Sequence, residues 1–277
     1  MQSIGVIVWN FTPEIFPSIF ENIGFSPRWY GVLFALGFVI GYQLFLKMLK
    51  AEKRPEEWMD SLLIYTMIGT VLGARLGHVF FYDWGYYSQH PAEILMTWKG
   101  GLASHGAAIG IILAMYLWSK KVSKLSMLWV LDRIVVTVAL AGFFIRTGNF
   151  LNSEIIGKPS TLPWAVVFQR VDLIPRHPSQ IYEALAYILI FAFLFWSYWK
   201  NKKGEYQGWL FGMFLILIFG FRFSIEFTKE IQSAFEAGMA LNMGQILSIP
   251  LVLTGIYFVI RSKKHHDERS GIGAHSA

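Results

Sequence analysis

The sequence predicts an all-α integral membrane protein with seven transmembrane helices. Of its 277 residues, 55% are hydrophobic and only 15% are charged, and the mean hydropathy is +0.45, whereas a soluble domain carries about a quarter charged residues. Seven apolar stretches are long enough to cross the roughly 30 Å hydrocarbon core of a bilayer. Basic residues cluster in alternate connections between them. This composition excludes a disordered chain and a nucleic-acid-binding domain, and it argues against an ordinary cytosolic enzyme.

The seven predicted spans belong to a single polytopic membrane domain that covers the chain. They are placed at residues 29–45, 61–82, 101–118, 127–145, 181–199, 208–227 and 244–260. Fourteen of the 24 lysines and arginines follow the first, third, fifth and seventh spans. Positive charge marks the cytoplasmic side, so the N-terminus is expected outside and the C-terminus inside. The net charge of +6 therefore reports mainly on orientation.

Several segments outside the spans have their own expected structure. Residues 1–28 are expected to form an interfacial arm, and residues 91–98 a surface helix. Residues 148–180 are expected to form an outer head, in which 164–168 is a strand or a hairpin arm. Residues 262–277 are expected to be a cytoplasmic tail, polar and flexible from residue 265. The chain has no cysteine, so disulfides, thiolate nucleophiles and cysteine metal sites are excluded, and neither a metal nor a cofactor is expected.

Five ionisable residues are predicted to share one depth near the outer surface. Arg75 and Arg222 each lie 14 residues beyond the inner end of a predicted span, about 21 Å along the helix. His105 and Arg146 lie at outer ends of spans, and Glu226 lies one turn beyond Arg222. We call these five residues the outer layer. Ionisable side chains inside a membrane are costly, so each is a candidate for function.

The outer layer has two interpretations. Its members can pair with one another and hold the bundle together, as Asp132 and Arg133 are expected to do near the inner surface. Alternatively, three arginines facing two possible acids leave excess positive charge, which is expensive to bury without an anion. Guanidinium groups bind phosphate in a bidentate manner. The commonest phosphate in an outer leaflet belongs to a lipid headgroup, so the layer as a whole favours an anionic lipid.

Three sequence runs contain most of these residues. The run 100–110 is rich in glycine and alanine around His105, which is also typical of close helix packing. The run 146–157 places an arginine, two asparagines and a glutamate where a helix leaves the membrane, a place where asparagine is often only a cap. The run 220–227 contains Arg222 and Glu226. The density of polar groups in the second run favours a headgroup site over a simple cap.

These runs resemble the prolipoprotein diacylglyceryl transferases, a family of bacterial inner-membrane enzymes. The runs 176–183 and 243–250 also match the family in order, and the resemblance extends from Arg28 to Pro250. It implies transfer of the diacylglyceryl group of phosphatidylglycerol to the lipobox cysteine thiol of a prolipoprotein, with formation of a thioether and release of glycerol 1-phosphate. It also implies seven spans in the inner membrane, a site toward the periplasm, and phosphatidylglycerol, prolipoproteins and membrane lipids as partners, without nucleic acid.

The resemblance also suggests roles for individual residues. His105, interpreted as the only histidine within a span, is the candidate base for the thiol, whose ordinary pKa is about 8.5. Arg146 and Arg222 would stabilise the charge of the leaving phosphate, and Arg146 matches the position that binds the headgroup. The remaining candidates are expected to bind substrate: Tyr30, Asn149, Asn152, Glu154, Gly157 and Glu226. Tyr30 is equally explained as an aromatic-belt anchor, and Glu226 as a counter-ion of Arg222.

A transporter of lipid or anionic solutes is the alternative function, because it would also use several spans and an arginine-lined site. Transporters commonly show an internal repeat and a binding site at the membrane midplane. This sequence shows no repeat, and its outer layer lies near one surface. The transferase interpretation is therefore preferred. One departure from the family concerns Ile218, where some members carry a tyrosine that could act as a base.

Overall fold

The computed structural model describes residues 7–16, 26–96, 101, 103–230 and 238–274, except for the side chains of 104, 105 and 265–274. The chain divides into two compact units, where the sequence analysis expects one domain. The first unit comprises Met1–Leu44 and Leu131–Ala277, and the second comprises Phe45–Val130. Two long helices cross the boundary between the units.

The described part of the chain is mainly helical. Its α-helices are α1 (Trp29–Ala51), α2 (Glu57–Phe81), the short α3 (Trp84–Tyr87), α4 (Ser104–Trp118), α5 (Met127–Leu151), α6 (Ser179–Trp199), α7 (Trp209–Ile225) and α8 (Met243–Ala274). Short 3-10 helices occupy Pro91–Leu95, Lys203–Glu205 and Glu226–Thr228, and a π-helix occupies Ser119–Ser123. The expected surface helix at 91–98 is confirmed as the 3-10 helix at Pro91–Leu95, while residues 97 and 98 lie outside the described residues.

Six of the described helices are long and apolar enough to cross a membrane, namely α1, α2, α5, α6, α7 through Thr228, and α8 through Lys264. Each corresponds to one predicted span. The helix at the third predicted span, α4, has only 15 residues, fewer than the ~17 that the hydrocarbon core requires. Its helical path continues without a break into the π-helix at Ser119–Ser123.

In the second unit, α2 and α4 pack through glycines. A Cβ at Gly73 would lie 2.8 Å from the Cα of Gly110, and one at Gly77 would lie 2.6 Å from the Cα of Gly106. Gly69 lies against Gly110 in the same way. Small residues let two helix backbones approach this closely, which confirms the packing interpretation of the glycine-rich run.

In the first unit, a small mixed sheet lies beside the helices. Strand β1 (Ile7–Trp9) pairs in parallel with β2 (Val166–Phe168), which pairs antiparallel with β3 (Pro175–Arg176). The strand expected within 164–168 is thus confirmed. The sheet is an addition to the all-α fold that the sequence predicts, and β1 comes from the segment expected to be an interfacial arm.

Asp132 and Arg133, near the beginning of α5, both bind the segment that leads into α7. The carboxylate of Asp132 accepts hydrogen bonds from the backbone N–H groups of Gly208 (2.7 Å) and Phe211 (2.9 Å). Arg133 Nη2 donates to the carbonyl of Gly204 at 3.1 Å. Asp132 therefore satisfies free N–H groups at the start of α7, which agrees with the structural role predicted for this pair.

At the C-terminal end, α8 continues through the polar residues that follow the membrane span. The sequence analysis expects residues from 265 onward to be polar and flexible, and the backbone there is helical as far as Ala274. Residues 265–274 contain glutamate and arginine, which favour helix, and no proline. Gly271 and Gly273 disfavour helix only in the last turn, so a helix already nucleated inside the membrane can extend this far.

Candidate functional site

Five charged side chains of the first unit form a continuous line, which we call the charged cluster: Arg146, Glu183, Lys229, Glu226 and Arg222. Arg146 Nε lies 3.1 Å from Glu183 Oε2. Lys229 Nζ donates to Glu183 Oε1 at 3.0 Å and to Glu226 Oε1 at 3.1 Å. Arg222 Nε lies 3.6 Å from Glu226 Oε1. The cluster joins α5, α6, α7 and the 3-10 helix after α7.

The charged cluster carries a net formal charge of +1, because three cations face two carboxylates. The excess positive charge expected of the outer layer depended on three arginines, whereas the cluster contains two, Arg146 and Arg222, and Lys229 is its third cation. Arg222 is the open end of the line, since its side chain is 39% exposed whereas that of Arg146 is 14% exposed. Among the described residues, no ion pair or hydrogen bond engages the two terminal nitrogens of Arg222.

Asn149, Asn152 and Glu154 form a polar bracket next to Arg146. Asn149 accepts a hydrogen bond from Arg146 Nη1 (3.3 Å) and donates one to Glu154 Oε2 (3.1 Å). Asn152 donates to the other carboxylate oxygen of Glu154 at 3.1 Å. Gln180 donates to the backbone carbonyl of Glu154 at 2.6 Å. The bracket thus holds the exposed carboxylate of Glu154 in a fixed orientation. When this carboxylate is counted together with the charged cluster, the formal charge of cluster and bracket is zero.

The bracket forms because α5 extends beyond its predicted end. The sequence analysis expects the helix to leave the membrane near Arg146, but α5 continues to Leu151. Arg146 and Asn149 therefore lie three residues apart on one helical face. A turn with positive φ at Ser153 (56°) and Ile155 (54°) then brings Glu154 back toward Asn149.

Gly157 lies where the loop after the bracket meets Lys229. The two residues form an antiparallel β-bridge, and Gly157 N–H donates to the carbonyl of His177 at 3.1 Å. A Cβ at Gly157 would lie 2.5 Å from that carbonyl oxygen and 2.6 Å from Ser179 Oγ. The close approach requires glycine, so Gly157 contributes to the site by letting the backbone hold Lys229 in place.

Glu226 is held by the start of α8. Asn242 donates to Glu226 Oε2 at 3.1 Å, and its own Oδ1 accepts the N–H of Gln245 at 2.9 Å. Gln245 Oε1 accepts the N–H of Asn242 at 3.1 Å, which completes a reciprocal cap of α8. A Cβ at Gly244 would lie 2.7 Å from the carboxylate of Glu226. The cap therefore restricts both the position and the freedom of Glu226.

Tyr30 lies at the start of α1 and packs against Gly148. A Cβ at Gly148 would lie 2.7 Å from the Tyr30 ring, and the ring also stacks on Phe34 with centroids 6.3 Å apart. Gly148 follows Arg146 by two residues in α5. Tyr30 thus borders the segment that carries Arg146, where it can either bind substrate or anchor the helix at the interface.

The two other members of the outer layer, Arg75 and His105, belong to the second unit. Arg75 is buried, and its guanidinium donates to the carbonyls of Ile94 (2.8 Å), Glu93 (2.5 Å) and Gly101 (3.2 Å). It thereby holds the connection between α2 and α4. The backbone of His105 lies in the first turn of α4, and its side chain lies outside the described residues.

A second histidine lies within a span and was overlooked by the sequence analysis. His78 is in the last turn of α2, where it stacks on Tyr82 with ring centroids 5.9 Å apart. A Cβ at Gly101 would lie 2.7 Å from its ring. His78 and the start of α4 are therefore brought together within the second unit.

In the head, Arg176 joins β3 to the loop of Gly157. It donates to Asp172 through Nη2 (2.6 Å), and its Nη1 donates to Glu230 (2.7 Å) and to the carbonyl of Gly157 (3.2 Å). The hydrogen bond from Arg176 holds the pKa of Asp172 below its ordinary value, and the same bond raises the pKa of Arg176. Arg176 therefore supports the backbone on which Gly157 and Lys229 meet.

The family profile of prolipoprotein diacylglyceryl transferases matches residues 17–261. The chain belongs to the prolipoprotein diacylglyceryl transferase family. A relative named phosphatidylglycerol–prolipoprotein diacylglyceryl transferase from Chloroherpeton thalassium is 46% identical over 95% of this chain and 97% of its own. Relatives with the same name come from Porphyromonas gingivalis (47% identical, covering 94% and 95%) and Cereibacter sphaeroides (35% identical, covering 92% and 97%).

In this member of the diacylglyceryl transferase family, sequence reasoning missed Glu183 and Lys229 as parts of the site. Glu183 lies in the first two turns of α6, and an acid at that place in a predicted span is itself a signal. Lys229 follows the sixth predicted span by two residues. Its position three residues after Glu226 could have indicated a shared face, but the pairing with Glu183 depends on the tertiary fold.

Proposed function

We propose that this protein transfers the diacylglyceryl group of phosphatidylglycerol to the lipobox cysteine thiol of prolipoproteins. The names of its relatives support this reaction. The observation in the structure that supports it best is the charged cluster, a line of ion pairs with net charge +1 that ends in the partly exposed guanidinium of Arg222. A phosphodiester headgroup supplies the single negative charge that such a cluster binds.

In the proposed reaction, the thiolate sulfur attacks the diacylglyceryl carbon that bears the phosphate. The carbon–sulfur bond forms as the carbon–oxygen bond breaks, so glycerol 1-phosphate leaves with the bonding electrons and the thiol proton passes to a base. The leaving group gains negative charge during this step. Arg146 and Arg222 would stabilise that charge: Arg146 is already held in place by Glu183 and Asn149, and the exposed guanidinium of Arg222 can move to meet the phosphate.

The remaining residues would bind the substrates. Asn149, Asn152 and Glu154 form the polar bracket and would orient the glycerol hydroxyls of the headgroup or the peptide. Tyr30 would border the same region, and Glu226 would set the position of Arg222. His105 is the proposed base. His177 is a competitor from the outer loop, where it precedes Pro178 and a structural hydrogen bond is the preferred role, and His78 is a second competitor because it also lies within a predicted span.

The proposed topology has seven spans, with the N-terminus outside, the C-terminus inside and the site toward the periplasmic face of the inner membrane. The combined helical path of α4 and the π-helix, residues 104–123, contains 20 residues, which corresponds to roughly 30 Å and supports a seventh span. The alternation of basic connections supports the orientation.

The test is incubation of the purified full chain with phosphatidylglycerol and a lipobox peptide, followed by mass spectrometry. We expect a thioether-linked diacylglyceryl peptide together with glycerol 1-phosphate. Arg222→Ala should remove the product, whereas Arg170→Ala, in the head, should retain it. Movement of phosphatidylglycerol between leaflets of reconstituted vesicles without any thioether product would contradict the proposal and favour the transporter.

A further inference from the structure

Lys229 is the most deeply buried cation of the charged cluster, and no role is assigned to it above. Its side chain is only 2% exposed and that of Glu183 is fully buried. Burial of an ammonium group is costly and requires close counter-charges. Lys229 has two such partners, Glu183 and Glu226, and each of them is also the partner of one arginine. Lys229 thus lies between the two halves of the cluster.

The backbone holds Lys229 at this position independently of its side chain. Its N–H donates to the carbonyl of Glu226 at 3.3 Å, and Lys158 N–H donates to the carbonyl of Thr228 at 2.8 Å. The bond to Thr228 and a second one, from Glu230 N–H to the carbonyl of Ile156 at 3.5 Å, form the β-bridge between Gly157 and Lys229. This constrained backbone therefore positions the ammonium group of Lys229 between the carboxylates of Glu183 and Glu226.

The two carboxylate oxygens bound by Lys229 lie close to each other. Both are bonded to the same nitrogen, at 3.0 and 3.1 Å, so they are separated by no more than about 6.1 Å. Without the cation between them, these carboxylates would repel each other. Each would be drawn toward its neighbouring guanidinium, with which a carboxylate forms strong bidentate pairs.

We propose that Lys229 is a positioning residue that keeps Glu183 and Glu226 from neutralising Arg146 and Arg222. By sharing the two carboxylates, it leaves both guanidinium groups with charge and donors available for the phosphate of the lipid. The inference rests on the proposed function, because the anion that the arginines serve is the phosphatidylglycerol headgroup. Lys229 itself does not contact the reacting atoms in this proposal; it acts through the glutamates.

The experiment measures kcat and KM for phosphatidylglycerol in the purified full chain, with a fixed lipobox peptide. Lys229→Met removes the cation and brings the net charge of the cluster to zero, so KM should rise by about tenfold or more. Lys229→Arg retains the charge and should stay within about threefold of the wild type. The matched control is Lys158→Met, an exposed lysine on the adjoining backbone, which should leave KM unchanged.

A double variant separates this role from a merely structural one. Lys229→Met/Glu226→Gln restores the net charge to +1, so its KM should lie below that of Lys229→Met, while a lysine needed only for packing would show no such recovery. If Lys229→Met alone does not fold, as judged by thermal unfolding in detergent, the double variant is compared with Glu226→Gln. The proposal then requires a higher KM in the double variant, and equal values would overturn it.

Failure of this proposal is distinguishable from failure of the proposed function. A wild-type protein that forms no thioether product would contradict the function itself. A wild type that transfers normally, with an unchanged KM in Lys229→Met, would overturn only the role of Lys229. An equal rise of KM in Lys229→Met and in the double variant would also overturn it.

Discussion

At the scale of single residues, Arg146 and Arg222 differ in how much of the guanidinium group the protein already uses. Arg146 contacts Glu183 and Asn149 and is mostly buried. Within the described part of the chain, Arg222 has one ion pair, a long one to Glu226, and its side chain is substantially exposed. Because buried donors that are already engaged cannot be rearranged cheaply, we expect Arg146 to supply a fixed contact and Arg222 an adaptable one.

Arg146→Lys tests whether the fork geometry of this side chain matters. Lysine keeps the charge but cannot contact Glu183, Asn149 and a phosphate in one plane. We expect turnover to fall by about 10²-fold or more, with membrane insertion unaffected. The measurement is the rate of thioether formation, and Arg170→Lys in the head is the control. Near-wild-type turnover of Arg146→Lys would remove the claim of bidentate contact.

His105→Gln and His78→Gln test which histidine accepts the thiol proton. General bases contribute typically ~10²–10⁴-fold, so loss of the true base should cause a large defect at neutral pH. The defect should shrink as the pH approaches ~8.5, because the thiolate then forms without help. We expect this behaviour of His105→Gln and not of His78→Gln in a pH–rate profile. A defect of His105→Gln that does not change with pH would limit His105 to positioning substrate.

At the scale of elements, the contact between α2 and α4 depends on glycine at several facing positions. A Cβ on Gly106 would collide with the carbonyl oxygen of Gly73 and lie 2.7 Å from the Cα of Gly77. Both contacts are to backbone, so neither helix can yield without moving as a whole. The geometry of the second unit is therefore sensitive to single methyl groups.

Gly106→Ala should consequently destabilise the protein by roughly 1–3 kcal/mol through overpacking. Thermal unfolding of the purified protein in detergent measures this effect. Gly85→Ala is the control, because a Cβ at Gly85 meets nothing within 4 Å. Equal melting temperatures of the Gly106→Ala variant and the wild type would show that the two helices separate more easily than their packing indicates.

The stability of the hairpin formed by β2 and β3 should depend on pH, because Asp172 titrates between them. Its folded pKa lies below the ordinary value of 3.8 because of the hydrogen bond from Arg176. A lowered folded pKa stabilises the fold above the unfolded pKa, and this contribution is lost as the pH falls through the folded pKa. The side chain of Asp172 is partly exposed, so solvent screens the ion pair with Arg176 and the effect is small. Asp172→Asn should lower the melting temperature slightly at pH 7 and should match the wild type at about pH 2.

At the scale of the whole molecule, the positions of the basic residues predict how the protein is oriented in the membrane. The fold alone does not determine this orientation. The structure has six described helices able to span, and six spans would place both termini on one side of the membrane. The charge pattern requires an odd number of spans. The topology therefore depends on whether α4, in the second unit, crosses the membrane as a seventh span.

Single cysteines test the proposed orientation against a background without native cysteine. Cysteine at Lys121 or Lys202 should be shielded from an impermeant thiol reagent in intact spheroplasts, while cysteine at Lys158 should react. All three should react after the membrane is permeabilised, which serves as the control. Labelling of Lys202→Cys from outside would overturn the orientation or the number of spans.

Much of the fold was predictable because hydropathy and helix length are local properties. Six predicted spans correspond to helices of the structure, and α6 ends at Trp199 as predicted. Helix ends were less predictable, since α5 continues six residues beyond Ile145. Hydrogen bonds between Asn149 of α5 and Glu154 of the following turn stabilise that extension, and no local pattern encodes them.

The sequence by itself determined the class of this protein, its candidate arginines and its family resemblance, because composition and motif spacing are properties of the chain. Only the tertiary structure decided how those arginines are paired. Glu183 and Lys229 are 46 residues apart, and the β-bridge at Gly157 is needed to bring the backbone of Lys229 into place. The net charge of a site depends on which charged side chains lie within a few ångströms of one another in a low-dielectric environment. Tertiary packing of distant segments determines which side chains these are.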